Sequence, residues 1–395
     1  MLKDFEIKKF DTVKWLVVTQ NNNHILVNSE TKDLLEIIKS SKENSQILEN
    51  FNVRFNKEIT FKDLQELLKK NFADKDLLIE ETNFKKKTFL SLKVKVIPER
   101  IASVLSSPFT KLFNPTFFWY SFVLLLILNV IFLIQYFNLD LKNLEIKHFV
   151  IYTILLYSTM LIHELGHIGA CKYFKIKHGE IGFGFYLVFP ILYADVSNIW
   201  TLDKNKRIIT NLAGIYLELF YSTILIATSI IINQAFLLLV SFTILIKSLT
   251  ELNPFIRYDG YWVLSDITNT PNLLKRSNKV VLNFIKNPIF FFKEIKLNRK
   301  NIYYLVYGSL NFLLISFYLG WLIFKYQYKI IEFPSRFIES ISVIFYEDAK
   351  ISESLTPLFN FDNLLILGFY IIILKLIISY IMRKSKLYLT GMGKV

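Results

Sequence analysis

Two hydrophobic patterns divide the 395-residue chain. Up to about residue 81, short apolar runs alternate with polar and turn-forming residues, as in a small water-exposed domain. Beyond about residue 116, apolar runs of roughly 20 residues follow one another, and each is long enough to cross a hydrocarbon core about 30 Å thick. The pattern predicts a polytopic α-helical membrane protein with a small N-terminal α+β domain.

We predict about six transmembrane helices. Four apolar runs are nearly uninterrupted, and two further runs each carry one charged residue, Glu218 or Lys247. Because the runs are apolar on all sides rather than along one stripe, they do not fit the helices of a soluble core. The four nearly uninterrupted runs are Phe117–Phe137, Phe149–Cys171, Ile302–Phe324 and Asn363–Met382, and the other two are Ile208–Ile232 and Ala235–Leu252.

The N-terminal domain is predicted to contain a β-hairpin followed by three helices. Its strands are rich in β-branched and aromatic residues, and a Gln-Asn-Asn-Asn turn separates them. In chain order, the predicted elements are strands Lys14–Thr19 and His24–Asn28, a helix from a Ser29 cap to Ser40, a shorter helix around Gln46–Phe51, a helix that opens with a capping box of Thr60 and Asp63, and a strand near Leu77–Ile79.

This order of elements resembles the PqqD-like peptide-recognition domain, which has a winged-helix-like fold. The resemblance covers about residues 5–80 and rests on the pattern of elements, without a diagnostic motif. It implies that the leader of a ribosomally made precursor peptide binds as an extra strand at the sheet edge, beside the last helix. A winged-helix domain without a ligand is one alternative. A DNA-binding winged helix is another, but 16 acidic residues against 19 basic ones in residues 1–100 argue against it.

Shifts in composition predict four segments. The N-terminal domain, at 1–81, is followed by a basic linker with a strand and an interfacial amphipathic helix, at 82–115. A membrane core is predicted at 116–270. The remainder, at 271–395, is predicted to hold a cytoplasmic segment and two C-terminal transmembrane helices.

Composition and charge narrow the classes of protein. With 53% hydrophobic residues the chain is too apolar to be disordered, and one cysteine excludes an internal disulfide and a cysteine-rich metal site. The net charge of +14 divides into +3 for residues 1–100 and +11 for the rest. Because the basic excess lies in the apolar part, we expect a lipid bilayer as partner and no nucleic acid.

The basic residues also predict how the chain crosses the membrane. If residue 1 is cytoplasmic, 20 of the 28 Lys and Arg residues after residue 100 fall on the cytoplasmic side and 6 fall outside. Cytoplasmic loops are enriched in these residues. We therefore predict a multi-pass protein of the bacterial cytoplasmic membrane with both termini in the cytoplasm. The opening MLKDFEIKKF lacks an apolar run, so we expect no cleavable signal peptide.

The candidate chemistry lies in the second predicted span, where His163-Glu164-Leu165-Gly166-His167 forms an H-E-x-x-H motif. Histidines four residues apart lie on one side of a helix, so both imidazoles can bind one Zn²⁺. Glu164 is placed to take a proton from a water at the metal. Because ionisable groups inside a membrane are costly without a functional partner, two merely structural histidines are a weak alternative.

A catalytic zinc ion takes three protein ligands and keeps one position open. The best third ligand is Asp259, in the segment NPFIRYDGYW that follows the fourth predicted span. The predicted topology places His163, His167 and Asp259 at the cytoplasmic ends of their helices. We therefore expect the three side chains to meet at one depth in the membrane.

An H-E-L-G-H motif in a span, followed about 90 residues later by N-P-F-I-R-Y-D-G-Y-W, resembles the site-2 protease family of intramembrane zinc metalloproteases. The resemblance covers about residues 115–270. It implies that His163, His167 and Asp259 are zinc ligands, that Glu164 is the catalytic base, and that Asn253 helps to hold the substrate or the developing oxyanion. The usual family form is N-P-x-P-x-x-x-L-D-G. The Arg-Tyr pair before Asp259 departs from it and is similar to the subgroup with PqqD-like domains.

Alternating aromatic residues in 179–196 predict a β-hairpin that turns near Pro190. In the family that the motifs resemble, such a hairpin dips into the membrane near the zinc. Strand edges cannot stay unpaired in lipid, so the hairpin must line a protein cavity. We expect its free edge to hold an extended substrate. A purely structural loop is the alternative. The predicted substrate-binding residues are Gly182, Phe183, Gly184 and Phe185, together with Asn253.

The predicted function is therefore cleavage of a small ribosomally made precursor peptide, as in bacteriocin maturation, near the cytoplasmic membrane face. An export transporter or a peptide-modifying enzyme is an expected further partner. Two alternatives stay open: regulated intramembrane proteolysis of a membrane-anchored regulator, and a non-proteolytic peptide transporter or immunity protein. We expect Lys247 to form a structural ion pair with Glu218, or with Glu251 one turn on.

Overall fold

The computed structural model describes residues 2–11, 13–21, 23–41, 43–72, 75, 77–79, 90–136, 145–186, 189–289, 300–346 and 361–391. The described chain is mostly helical, and it divides into two compact units. The first unit consists of Met1–Phe89, Val94–Phe183 and Leu192–Asn269, and the second of Leu90–Lys93, Gly184–Ile191 and Thr270–Val395.

The N-terminal domain begins with a three-stranded antiparallel sheet in the order β1-β2-β3. Strands β2 (Lys14–Thr19) and β3 (His24–Asn28) have the bounds that the sequence predicted. Strand β1 (Phe5–Lys9) was not predicted, because three of its five residues are charged. Its pairing with β2 compensates for this weak local preference, since a strand is stabilised by its cross-strand neighbours.

Three helices follow the sheet: α1 (Ser29–Ser40), α2 (Asn44–Phe55) and α3 (Phe61–Phe72). The span of α1 is as predicted, but its N-cap is Asn28 rather than Ser29, and Asn28 Oδ1 accepts a hydrogen bond from Thr31 N–H at 2.9 Å. Helix α2 extends beyond the predicted stretch at both ends.

The predicted capping box opens α3. Asp63 N–H donates to Thr60 Oγ1 at 3.3 Å, and Thr60 N–H donates to Asp63 Oδ2 at 3.0 Å. The hydrogen bonds from Thr60 lower the pKa of the Asp63 carboxyl. After α3, the predicted strand near Leu77–Ile79 is reduced to an isolated bridge between Leu78 and Leu2. One face of the sheet and the three helices enclose a common apolar core, which contains Phe5, Val17, Ile25, Leu35, Phe51, Leu64, Leu68 and Phe72.

A second three-stranded sheet has the order β4-β5-β6. Strand β4 (Leu90–Ile97) confirms the predicted strand in the linker, whose residues 82–89 lie outside the described residues. Strands β5 (Ile181–Tyr186) and β6 (Phe189–Ala194) form the predicted hairpin. Pro190 lies inside β6, so the connection precedes it. Since proline donates no backbone hydrogen bond, its place on this outer strand is the expected one.

The linker ends in helix α4 (Glu99–Ser106) and a 3₁₀ turn, Ser107–Phe113. The helices that follow are α5 (Pro115–Tyr136), α6 (Ile146–Tyr173), α7 (Lys204–Ile232), α8 (Phe236–Glu251), α9 (Asp259–Ile267), α10 (Leu273–Lys286), α11 (Lys300–Tyr346) and α12 (Phe361–Gly391).

Within the described ranges, four helices are long and apolar enough to cross a membrane: α5, α6, α7 and α11. They correspond to four of the six predicted spans. The other two predicted spans form helices α8 and α12, and their crossing of a bilayer stays a prediction. The four apolar helices indicate a membrane protein.

Helices α6 and α7 pack closely because glycines lie at their contact. A Cβ atom on Gly166 of α6 would collide with the Ala213 carbonyl oxygen of α7. Likewise, a Cβ on Gly214 would lie 2.5 Å from atoms of the His163 ring. Small residues allow helix backbones to approach in this way where apolar burial alone gives little preference. The contact places α7 directly against the H-E-x-x-H motif.

We predict that Gly166→Ala destabilises the protein, because the added methyl group meets backbone that cannot move aside. Overpacking of this kind costs about 1–3 kcal/mol. The matched control is Gly320→Ala on α11, since nothing lies within 4 Å of the Cβ position there. Alanine in place of a helical glycine gains about 0.5–1 kcal/mol. Thermal unfolding of both full-length variants in detergent should lower the midpoint for Gly166→Ala only. Equal midpoints would contradict the close α6–α7 contact.

Candidate metal centre

Helix α6 presents His163 and His167 one turn apart, as the motif predicts, and both side chains are buried. Glu164 lies between them on the same helix and is also buried. The second predicted element of the site, Asp259, is the first residue of α9. A bend in the chain between α8 and α9 brings it back to the histidines.

Three donor atoms meet at this point. His163 Nε2 lies 3.1 Å from His167 Nε2 and 3.1 Å from Asp259 Oδ2, and His167 Nε2 lies 3.4 Å from Asp259 Oδ2. Two ligands that bind tetrahedral Zn²⁺ at about 2.0–2.1 Å are separated by about 3.3–3.4 Å. The triangle of donors therefore has the size of one face of a zinc coordination sphere.

The state of Asp259 also fits a metal ligand. Its Oδ2 atom is buried and makes no well-formed hydrogen bond, although both imidazoles lie within 3.4 Å. An anionic, buried and unsatisfied oxygen beside two imidazoles is the donor set that Zn²⁺ prefers. His163, His167 and Asp259 can therefore hold one ion.

The other ring nitrogen of each histidine has its own acceptor on α7. His163 Nδ1 lies 3.0 Å from Glu218 Oε1, and His167 Nδ1 lies 2.8 Å from the Thr210 carbonyl oxygen. If each Nδ1 carries the proton, each Nε2 lone pair points to the shared position. Metal-binding histidines are commonly oriented by a carboxylate or a backbone carbonyl in this way.

Glu218 is held in turn by polar groups of α8. Lys247 Nζ binds Glu218 and also Glu251, the latter at 2.5 Å, and Ser248 Oγ donates to Glu218 Oε2 at 2.7 Å. The expected ion pair is confirmed, and Lys247 joins both candidate partners at once. His163, Glu218 and Glu251 also have the spacing of a metal site, but the Lys247 ammonium already contacts both carboxylates. We therefore interpret it as an ion-pair network.

The link from Glu218 to His163 was missed by the sequence analysis. The available signal was the position of a carboxylate in the middle of an apolar helix. Such a group needs a partner, and a buried histidine elsewhere in the membrane part of the chain is as suitable as a lysine.

The loop before Asp259 is shaped by Asn253. Its Oδ1 accepts a hydrogen bond from Phe255 N–H at 2.9 Å, which forms a tight turn directly after α8. Gly260 lies so close to the Leu252 carbonyl that a Cβ would collide with it. These contacts fold the segment back onto the end of α8. Contact between Asn253 and a substrate stays a prediction.

The structure places Gly182, Phe183, Gly184 and Phe185 in β5, the middle strand of its sheet. Strand β5 has a neighbour on each side, so a peptide that adds as a strand would pair with an outer strand, β4 or β6, instead. Gly182 gives room to the ring of Tyr193 on β6, which a Cβ would strike. Binding of substrate by these four residues stays a prediction.

Comparisons with known proteins give a partial match. The chain is 34% identical over 113 residues to a protein of Bacillus subtilis (strain 168) named "Putative peptide zinc metalloprotease protein YydH". The match covers 27% of this chain and 43% of that protein, so it spans less than half of the relative's length. No protein-family model matches the chain. No solved structure matches it significantly.

We predict that Glu218→Gln weakens zinc binding without removing a ligand. The amide keeps the shape but no longer offers His163 Nδ1–H a carboxylate, and loss of such a partner typically costs 10–100-fold in metal affinity. Competition with a chromophoric chelator, using the full chain in detergent, measures the affinity. Glu332→Gln, in an exposed ion pair with Arg336, is the control and should bind zinc as the wild type does. Wild-type affinity in Glu218→Gln would show that Glu218 does not orient His163.

Proposed function

We propose that the protein is a zinc endopeptidase embedded in the membrane, with His163, His167 and Asp259 as metal ligands. The observation that carries this proposal is the buried triangle of two imidazole nitrogens and one unsatisfied carboxylate oxygen, 3.1–3.4 Å apart. The name of the Bacillus subtilis relative supports zinc-dependent proteolysis as the general activity. The resemblance to site-2 proteases supports the assignment of the three ligands and of cleavage within the membrane.

The chemistry assigned to the chain is proton transfer next to the metal. When bound, zinc polarises the scissile carbonyl and makes water more acidic. Glu164 takes the proton of the attacking water and later gives it to the leaving amine. The acceptors Glu218 and Thr210 keep His163 and His167 in the binding tautomer, and Asn253 holds the substrate or stabilises the developing oxyanion. Burial of the motif limits access of bulk water to the reacting groups.

The proposed substrate is a small ribosomally made precursor peptide. In the N-terminal domain, 1–81, β3 is an outer strand of the sheet, and an extended leader can add to such an edge. This supports a PqqD-like, winged-helix-like role for the domain. The cleaved segment would lie along the hairpin, near Phe183 and Phe185, which are half-buried side chains of β5. An export transporter or a peptide-modifying enzyme would act on the same peptide.

The proposed setting is the bacterial cytoplasmic membrane. Four apolar helices support a multi-pass arrangement. We propose six spans in total, both termini in the cytoplasm, a linker at 82–115, a catalytic core at 116–270 and a C-terminal part at 271–395. In this arrangement the hairpin lines a protein cavity, and the metal centre lies near the cytoplasmic face.

We expect Glu164→Gln to abolish cleavage while the metal ligands stay intact. In cells that carry the chain natively, peptidomic mass spectrometry should find a small precursor that loses its leader with the wild type and accumulates uncut with Glu164→Gln. The zinc content of both purified proteins should be equal. Glu332→Gln serves as the matched control and should leave the peptide pattern unchanged. A zinc chelator should stop cleavage by the purified wild type, and added zinc should restore it.

Three outcomes would count against the proposal. Unchanged processing in Glu164→Gln would remove Glu164 from the mechanism. If Glu164→Gln stops cleavage of a membrane-anchored regulator and leaves every small peptide unaffected, the function is regulated intramembrane proteolysis rather than precursor maturation. A zinc-loaded wild type that cleaves nothing would indicate a transporter or an immunity protein.

A further inference from the structure

Helix α9 carries a second buried carboxylate, Asp266, besides the candidate ligand Asp259. The two residues are seven positions apart, which is close to two helical turns, so they lie on the same side of α9 and about 10 Å apart along its axis. The Asp259 end of α9 faces His163 and His167. The Asp266 end contacts a different set of residues.

Asp266 is held by two residues of α7. Arg207 Nε donates to Asp266 Oδ1 at 2.7 Å, and Asn211 Nδ2 donates to Asp266 Oδ2 at 2.9 Å. Both carboxylate oxygens are thus engaged by side chains one turn apart on α7. The Lys204 ammonium of the same helix binds the Ile267 carbonyl at 2.6 Å, at the last turn of α9. These contacts fix both the rotation and the axial position of α9.

The partner of Asp266 depends on the N-terminal domain. The Arg207 side chain is only 2% exposed, and its guanidinium carbon lies 4.5 Å from the ring centre of Phe10, which is in the connection between β1 and β2. Trp200 lies on the same guanidinium at 5.9 Å, and its ring is 6.2 Å from that of Phe10. Phe10 thereby helps to cover the Arg207–Asp266 pair. An ion pair that is shielded from water is a stronger and more rigid constraint than an exposed one.

We propose that Phe10, Arg207 and Asp266 form a clamp through which docking of the N-terminal domain positions Asp259 in the metal centre. The proposal rests on the proposed function, because it takes Asp259 as a zinc ligand. The three residues are positioning residues. They act through Asp259, which is the proposed ligand, and do not bind the metal themselves.

The short length of α9 gives the clamp its importance. A helix of nine residues is not stable by itself in water, so its placement depends on its anchors. A tilt at the Asp266 end is transmitted along two turns to Asp259. Metal–ligand distances in protein sites lie within about 0.2 Å of their usual values. Loosening the clamp should therefore appear as weaker metal binding, even though no ligand is removed.

The test measures zinc affinity of the full chain in detergent by competition with a chromophoric chelator. Removal of a shielded cation–π contact in Phe10→Ala should weaken zinc binding about 3- to 10-fold, in line with the energies of such contacts. Phe10→Trp keeps an aromatic face over Arg207 and should retain most of the affinity. The matched control is Phe55→Ala, which truncates a half-buried phenylalanine whose ring packs at a tilt against Phe51 within the same domain. It should bind zinc as the wild type does.

A double-mutant cycle separates the clamp from a general loss of stability. Asp266→Asn alone should weaken zinc binding, and adding Phe10→Ala to it should cause little further loss, because both changes break the same chain of contacts. Independent, additive effects would overturn the proposal. So would wild-type affinity in Phe10→Ala, or an equal loss in Phe55→Ala.

Failure of the clamp is distinguishable from failure of the proposed function. If Glu164→Gln stops cleavage while Phe10→Ala binds zinc normally, only the clamp is wrong. If the wild type binds no zinc, the proposed function is wrong and the clamp with it.

Discussion

The close contact between α6 and α7 is the interaction on which the candidate metal centre depends. Gly166 and Gly214 let the two backbones approach until the His163 ring lies against α7. At that distance α7 can offer acceptors to both histidines, one from the Glu218 side chain and one from the Thr210 carbonyl. A single methyl group at either glycine would separate the motif from the groups that orient it.

The second constraint is the cost of burying charge among apolar helices. An isolated carboxylate or ammonium would be unstable there, and for Glu218 and Asp266 several polar partners offset this cost. Glu218 is shared among His163, Lys247 and Ser248. Asp266 is shared between Arg207 and Asn211. The first of these clusters links α6, α7 and α8, and the second links α7 and α9.

Local patterns in the sequence predicted a good part of this architecture. The spacing of His163 and His167 determines one helical face, and the strand and helix bounds of Lys14–Ser40 follow from alternation and turn residues. Relations between distant segments were harder to predict. Strand β1 is too polar to be recognised without its partner β2. The role of Glu218 requires knowing that α7 faces α6. Asp259 was predicted from its place in the segment NPFIRYDGYW, and the predicted topology then put it at the depth of the histidines.

The residues of α7 that contact the candidate metal centre and its supports lie along one line of the helix. Arg207, Asn211, Gly214 and Glu218 recur at intervals of four, three and four residues, and Thr210 lies beside Asn211, so these residues lie on the side of α7 that faces the candidate metal centre and its supports. Each residue of an α-helix turns the chain by about 100°. One residue inserted or deleted within this line would therefore turn its two parts against each other, and would separate the Asp266 contacts from those of the histidines. In this part of the chain, exact spacing between residues is a stricter requirement than the identity of the residues that face lipid.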